Sequence, residues 1–156
     1  MNITVAITGA SGSIYARQLL DALVASDKVR RITVICSGNG AAILEQENER
    51  IPESDKIKIV GNDDFYNHTV SGSSCDEVMV IVPCSAGMMS RIACGISDDT
   101  ISRAADVILK EQKKLILVLR ETPLNLIHIN NMSVLAQAGA VIMPASPSFY
   151  SAPADI

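Results

Sequence analysis

Glycine and hydroxyl residues follow the first apolar segment of the chain, in the run Gly9-Ala10-Ser11-Gly12-Ser13. Glycines let the backbone approach an anion closely, and a helix that begins there offers unpaired N–H groups. The two serines can either donate to a phosphate or cap the helix. The spacing is not G-x-G-x-x-G, so the dinucleotide fingerprint is not met. Taken alone, the run leaves phosphate binding and an ordinary strand–helix turn equally open.

A charged segment, Arg120-Glu121-Thr122-Pro123, follows a later apolar run. An arginine can clamp a phosphate, and a glutamate can hold a proton or orient a neighbour. An exposed ion pair is the plainer interpretation of the same two residues. Tyr150 follows the last apolar run, where its hydroxyl either contacts a phosphate or only packs.

Two further serines and a cysteine stand just past apolar segments. Ser37 is most simply a helix cap. Cys84, in Pro83-Cys84-Ser85-Ala86-Gly87, could be a nucleophile, but no base partner is visible in the sequence, which favours a buried structural thiol. The two histidines, His68 and His128, do not have metal-ligand spacing, and we assign no metal.

These candidates all follow short apolar segments that alternate with helical patterns. We predict strands at residues 3–8, 32–36, 57–60, 77–82, 115–119 and 140–143, with Pro83 stopping the fourth and Pro144 closing the last. We predict helices at residues 41–47, 85–94, 99–110 and 126–138, and a first helix with Tyr15, Leu19, Ala22 and Leu23 on its apolar face. The alternation is typical of an α/β protein with a mostly parallel sheet. Ligands bind such sheets outside the carboxyl ends of the strands, where the candidate loops converge.

Length and composition limit the class of protein. The 156 residues suit one domain, and 48% hydrophobic with 19% charged residues indicates a globular chain. The net charge of −4 argues against a general nucleic-acid surface. The longest apolar runs are too short to span a bilayer, so we expect no membrane association. None of the four cysteines forms a C-x-x-C pair, and no secretory signal precedes the first strand, which predicts a cytoplasmic protein.

A set of motifs follows in order along nearly the whole chain: Thr8-Gly9-Ala10-Ser11-Gly12, Ser71-Gly72-Ser73, Pro83-Cys84-Ser85, Arg103-Ala104-Ala105-Asp106-Val107-x-Leu109-Lys110-Glu111, Arg120-Glu121-Thr122-Pro123-Leu124, His128 with Met132, and Gly139-Ala140-Val141-Ile142-Met143-Pro144. In this combination the chain resembles the UbiX/Pad family of flavin prenyltransferases, whose members also carry the older name of aromatic or phenylacrylic acid decarboxylase.

The resemblance implies a single-domain, three-layer sandwich of the Rossmann-like or flavodoxin-like type. It implies a homo-oligomer, commonly a dodecamer, that binds FMN and needs no metal. Such enzymes transfer a dimethylallyl group from dimethylallyl phosphate to N5 and C6 of reduced FMN, and the prenylated flavin serves a UbiD-type decarboxylase. The choice between a monophosphate and a diphosphate donor stays open.

The resemblance also implies roles for residues at matching positions. The residues implied for cofactor binding are Gly9, Ala10, Ser11, Ser37, Ser85, Ala86, Gly87, Met88 and Arg120. The residues implied for prenyl-phosphate binding are Arg103, Lys110, Glu121 and Tyr150, with Phe65 or Tyr66 as the aromatic face beside the allyl group. Ser11, Glu47 and Glu121 are the candidates for catalytic acid–base work.

Two departures from the family pattern stand out. Met88 occupies a position that is often Ser or Thr, and the chain ends at Ile156, where relatives continue with a helix bearing a basic residue that contacts the prenyl phosphate. We therefore expect one flavoprotein domain over residues 1–156 without that tail.

Three alternatives remain open. The first is an FMN carrier or accessory subunit of a decarboxylase, which the missing tail would favour. The second is a flavoprotein that oxidatively decarboxylates a peptidyl cysteine or phosphopantothenoylcysteine, and the Arg-Glu-Thr-Pro segment argues against it. The third is a generic NAD-binding domain, which lacks the glycine spacing here.

Overall fold

A six-stranded parallel sheet forms the centre of the computed structural model, which describes residues 1–146. The strands are β1 (Asn2–Ile7), β2 (Arg31–Cys36), β3 (Ile57–Val60), β4 (Val78–Cys84), β5 (Lys114–Leu119) and β6 (Val141–Pro144). They lie in the order β3-β2-β1-β4-β5-β6, and each neighbouring pair is parallel. This is the Rossmann order, with its switch point between β1 and β4. The predicted α/β class is confirmed.

Five α-helices connect the strands within the described residues. They are α1 (Ser13–Ala25), α2 (Gly38–Gln46), α3 (Ala86–Ala93), α4 (Thr100–Lys110) and α5 (Leu126–Gln137). In this part of the chain, no helix combines the length and the apolar character that a membrane crossing requires.

The two faces of the sheet carry separate cores because successive strand residues point to opposite sides. In β1, Ile3, Val5 and Ile7 pack with residues of α1 and α2. Ala6 faces the other side, where residues of α3, α4 and α5 form the larger core. Covering on both faces explains why the strands are nearly continuous runs of Val, Ile and Leu.

The apolar face of α1 differs from the predicted one. The helix buries Ala16 and Leu20 completely, whereas Ala22 is exposed and Tyr15, Leu19 and Leu23 are only partly buried. The apolar stripe of this helix is broad, so spacing alone does not determine which side faces the sheet. The prediction that Ala22 lies on the apolar face of this helix was wrong.

Pro83 does not stop β4, contrary to the sequence-based expectation. The strand runs through it to Cys84, and the pairing with β5 changes register between Ile81 and Cys84. Proline lacks an N–H, but its carbonyl still accepts a hydrogen bond from the Thr8 amide at 3.3 Å. Pro144 is the last residue of β6, so this strand does end at its proline, as predicted.

The irregular segment between β3 and β4 is tied to the start of α4. The Thr100 amide donates to the Asn62 carbonyl at 2.8 Å, and the Ile101 amide donates to Asn62 Oδ1 at 3.1 Å. A short 3-10 turn, His68–Val70, interrupts the segment. Asn62 therefore fixes the beginning of this loop at the carboxyl edge of the sheet.

Candidate functional site

Loops after β1, β2 and β4 enclose a cleft of about 440 Å³ at the carboxyl edge of the sheet. We call it the first cleft. It is lined by Thr8, Gly9, Ser37, Asn39, Ser85, Gly87, Met88, Arg91 and Asp99. Its position at the switch point is where ligands bind in sheets of this order. The predicted convergence of Gly9, Ser37, Ser85, Gly87 and Met88 is what the structure shows.

Thr8 holds the two central loops of the first cleft together. Its Oγ1 donates to the Pro83 carbonyl at 2.8 Å and accepts from the Ser85 amide at 2.9 Å. The side chain is buried, so both bonds are shielded from water. The turn after β4 is thereby fixed against the end of β1.

Two helices point their N-termini at the first cleft, and a serine caps each of them. Ser37 Oγ accepts from the Gly40 amide at 3.0 Å, and Ser85 Oγ accepts from the Met88 amide at 3.2 Å. The cap predicted at Ser37 is confirmed. Each hydroxyl can still donate its proton to a ligand. The partial positive charge at the start of α2 and α3 therefore faces the cleft, with two hydroxyl donors beside it.

Arg91, on α3, is a cation of the first cleft that sequence reasoning missed. Its Nη2 pairs with Asp98 and, at 3.5 Å, with Asp99, and its Nε is buried without a hydrogen-bond partner. The signal in the sequence was its spacing, because Ser85, Met88 and Arg91 recur every three residues along one side of a helix. Asn39, which also lines the first cleft, was likewise unassigned.

The residues of the first cleft fit a phosphate group. Helix N-termini, serine hydroxyls and one arginine are the donors that phosphates use in proteins. The loop after β1 also passes close to Asn39, because a Cβ on Gly9 would lie 2.5 Å from Cβ of Asn39. The Ala10 amide is turned back to the Thr8 carbonyl at 2.8 Å, which shapes the loop between them. Ala86 is buried as the first residue of α3.

The Glu47 carboxylate occupies the N-terminus of α1. It accepts from the Gly12 amide at 3.0 Å and from the Ser13 amide and hydroxyl at 2.7 and 2.5 Å. Burial would raise the pKa of Glu47, but hydrogen bonds from the side chains of Ser13 and Ser11 and from the Gly12 and Ser13 amides outweigh it and lower the pKa to about 2. Gly12 permits this geometry with a φ of 103°. At neutral pH Glu47 is therefore an ionised carboxylate, which anchors the loop by accepting hydrogen bonds and is itself a weak base.

Replacing Glu47 with glutamine should destabilise the fold by about 1 kcal/mol at pH 7, the usual loss for a helix cap. Because the folded pKa lies below the ordinary 4.5, the stabilisation by Glu47 is present above pH 4.5 and is lost as the pH falls towards 2. Urea unfolding of both proteins from pH 7 to 2 measures this. Glu45→Gln, on the exposed side of α2, is the matched control, and a difference that stays constant across that range would contradict the prediction.

A second cleft, of about 420 Å³, lies beside the first between the ends of β5 and β6. It is lined by Leu119, Arg120, Glu121, Thr122, Pro144, Ala145 and Ser146. Arg120 connects it with the β1 loop, because its Nε donates to the Ser11 carbonyl at 3.2 Å. Glu121 is exposed, and its Oε1 accepts from the Thr122 amide at 3.1 Å. The predicted grouping of Ser11, Arg120 and Glu121 therefore exists in one protomer.

Three predicted substrate residues lie elsewhere in the protomer. Lys110 ends α4 and precedes β5, so it lies at the amino edge of the sheet, about 20 Å of strand from Arg120. It pairs there with Glu111, and Arg103 pairs with Asp106 at 2.8 Å. Phe65 is 43% exposed and lines neither cleft. Lys110 and Arg120 therefore lie at opposite edges of the sheet, because the chain crosses the sheet between residues 110 and 120. Tyr150 lies outside the described residues.

Cys84 is fully buried at the end of β4, and burial raises the pKa of its thiol to about 12. A thiol of that kind is a poor nucleophile. The structural interpretation of this cysteine is thereby supported over the catalytic one.

Comparison with known proteins identifies a family and relatives that match nearly the whole chain. A family model described as Flavoprotein matches residues 1–155. The flavin prenyltransferase UbiX of Methanocaldococcus jannaschii is 41% identical over 100% of this chain and 85% of its own length.

Two solved structures share the fold closely. A dodecameric FMN-dependent UbiX-like decarboxylase from Escherichia coli O157:H7 has a TM-score of 0.91 and 33% identity, covering 100% of this chain and 85% of that one. AnUbiX (PadA1), in complex with FMN and dimethylallyl pyrophosphate, has a TM-score of 0.87 and 36% identity, covering 99% and 83%. The chain therefore belongs to the flavoprotein family and, within it, to the UbiX-type flavin prenyltransferases.

Proposed function

We propose that this protein is a flavin prenyltransferase that moves a dimethylallyl group from dimethylallyl phosphate to N5 and C6 of reduced FMN. One observation carries the proposal. Two clefts lie at the carboxyl edge, and Arg120 of the second is hydrogen-bonded to the β1 loop that lines the first, in a chain that matches the prenyltransferases over its whole length. A phosphate-binding cleft next to a cleft with an arginine and a glutamate suits two phosphate-bearing substrates whose reacting ends meet.

The first cleft is the proposed FMN site. Ser37, Ser85 and the start of α3, with Arg91, would hold the phosphate. Gly9, Ala10 and Ser11 would lie along the rest of the cofactor, with Arg120 at its far end. The chemistry comes from the bound flavin, whose N5 and C6 are the acceptor atoms. Held rigidly beside the donor, these atoms gain the advantage of an intramolecular reaction.

Replacing Arg91 with glutamine should weaken FMN binding about tenfold, in the range for a hydrogen bond to a charged group. Riboflavin, which lacks the phosphate, should lose little affinity. Fluorescence titration of both flavins measures the two constants, and Arg91→Lys should restore part of the FMN affinity. Equal losses for FMN and riboflavin would place Arg91 away from the phosphate.

The second cleft is the proposed site of the prenyl phosphate. Breaking the allylic C–O bond leaves negative charge on the departing phosphate and positive charge on carbon. Arg120 would neutralise the leaving group, and the Glu121 carboxylate would orient it by accepting a hydrogen bond from a protonated phosphate oxygen. Ser11, whose hydroxyl is hydrogen-bonded to the ionised Glu47, would then relay the proton that the flavin loses towards the departing phosphate.

Lys110, Arg103 and Phe65 can take part only if another subunit brings them to the second cleft. A homo-oligomer is part of the proposal for this reason. It also agrees with the apolar side chains exposed on α5 and β6, which are Leu126, Ile127, Ile129, Val134, Val141 and Met143. An apolar surface of this extent marks an interface in most proteins. Native mass measurement tests the oligomer, for which we propose a dodecamer.

The chemistry of the product and the state of the cysteines suggest a partner enzyme and a cell compartment. A prenylated flavin can serve a second enzyme as its cofactor, and we propose a UbiD-type decarboxylase as the recipient. The four cysteines are free thiols, which suits the reducing cytoplasm.

The test is an anaerobic incubation with reduced FMN and dimethylallyl phosphate, followed by the mass of the released flavin. A gain of one prenyl unit, lost in Glu121→Gln, supports the transferase. Bound but unchanged FMN would favour the carrier alternative. Release of CO2 from a peptide with a C-terminal cysteine would favour the decarboxylase alternative.

A further inference from the structure

Cys75 and Lys113 form a close pair at the amino edge of the sheet, away from both clefts. Nζ of Lys113 lies 3.1 Å from Sγ of Cys75 and donates to the Cys75 carbonyl at 2.7 Å. Cys75 precedes β4, and Lys113 precedes β5, the neighbouring strand. An amine and a thiol are thus held in contact by adjacent strands of the sheet.

The backbone around the pair is fixed on both sides. The Cys75 amide donates to the Ser71 carbonyl at 2.9 Å, and the Lys113 amide donates to the Ile108 carbonyl at 2.9 Å. The Cys75 side chain belongs to the larger core and is 7% exposed. Fixed neighbours of this kind react as if at very high concentration. The remaining exposure admits a small oxidant but leaves little room for a second protein thiol.

The other three cysteines have no such partner among the residues that the structure describes. Burial raises the pKa of Cys36 to about 11 and that of Cys84 to about 12, so both stay thiols. Cys94 is exposed. In the hydrogen bonds of residues 1–146, Cys75 is the one cysteine whose sulfur contacts a lysine amine.

We propose that Cys75 and Lys113 form an oxidation-dependent covalent cross-link, a sulfenamide between Sγ and Nζ. A hydroperoxide first oxidises the thiol by two electrons, giving a sulfenic acid and one water. The Lys113 amine then attacks this sulfur. The S–O bond breaks, an S–N bond forms, and hydroxide leaves with a proton from the amine as a second water. The sum is thiol plus ammonium plus H2O2, giving sulfenamide, two waters and one proton.

Neither Cys75 nor Lys113 is assigned a part in prenyl transfer, and a reduced flavin bound to the protein would offer a source of the oxidant. Reduced flavin that meets O2 is reoxidised and releases H2O2. A small thiol reverses the bond, because it attacks the sulfur, frees the amine and is then displaced by a second thiol. The cross-link would protect Cys75 from irreversible oxidation to the sulfinic acid.

The direct test is peptide mass analysis of the folded protein after hydrogen peroxide, with free thiols then blocked by N-ethylmaleimide. We expect a peptide pair joining residues 75 and 113 that is lighter by two hydrogen atoms than the sum of its parts. Trypsin should fail to cleave after Lys113 in this pair, and dithiothreitol should separate it. Urea-unfolded protein treated identically should give none. Sulfinic acid or N-ethylmaleimide adduct on Cys75, without the linked pair, overturns the proposal.

Lys113→Arg supplies the matched variant, because it keeps the cation but replaces the amine. In this variant dimedone, which traps sulfenic acids, should label Cys75 at least about tenfold more than in the wild type. Cys94→Ser should leave the cross-link unchanged. Equal dimedone labelling of wild type and Lys113→Arg would show that the amine does not capture the sulfur. The wild-type mass result decides the question even if Lys113→Arg folds poorly.

Discussion

Glutamine in place of Arg120 should slow prenyl transfer by at least about 100-fold, the typical loss when a donor to developing negative charge is removed. Arg120 is the cation of the second cleft, and glutamine keeps a donor there but not the charge. The fold should tolerate the change, because within residues 1–146 the one hydrogen bond of the side chain is to the Ser11 carbonyl. The loss should therefore appear in the rate and not in the amount of folded protein.

Single-turnover mass analysis of the released flavin measures this rate, with FMN saturation checked beforehand. Arg120→Lys should recover part of the rate, since it restores the charge without the planar fork. Arg17→Gln is a matched control, because Arg17 pairs with Asp21 on the surface of α1. Transfer at the wild-type rate in Arg120→Gln would remove Arg120 from the proposed mechanism.

Alanine at Gly40 should destabilise the fold by about 3 kcal/mol, at the upper end for overpacking. Gly40 is the third residue of α2, where the helix meets the end of β1. An added Cβ would collide with the carbonyl oxygen of Ile7 and lie 2.9 Å from its carbonyl carbon, and backbone atoms cannot rotate away. The helix must move outward, which carries the Ser37 cap out of the first cleft.

Urea unfolding and FMN titration together measure both effects of Gly40→Ala. Gly38→Ala, in the same helix, has nothing within 4 Å of the added Cβ and should be neutral or stabilising by up to about 1 kcal/mol. If both variants unfold at the same urea concentration, the close approach of α2 to β1 is not a constraint on the fold.

The strands and the first cleft could be anticipated from the sequence, because their signals are local. Continuous runs of Val, Ile and Leu indicate strands buried on both faces, and parallel strands bring their following loops to one edge. Ser37 and Ser85 could be placed beside Gly9 by this argument alone.

Other features depend on distances that no local pattern encodes. Glu47 caps a helix that begins 34 residues earlier in the chain, so its hydrogen bond to Ser13 was out of reach of sequence reasoning. Lys110 was assigned by motif, and a motif gives no information about which edge of the sheet its residue occupies. At Pro83 the error came from a local rule. Proline usually ends a strand, but here the pairing with β1 and β5 continues β4 through Pro83 to Cys84.

The first cleft lies at the switch point, so its occupant touches both halves of the sheet. Thr8 and Ser37 belong to the half built from β1 to β3, and Ser85 and Met88 belong to the half built from β4 to β6. A bound flavin would therefore contact both halves and stabilise them together, which would slow amide hydrogen exchange in both. Each release of the product removes these contacts. Between turnovers, the two halves must then stay joined through the β1–β4 ladder and the hydrogen bonds of Thr8.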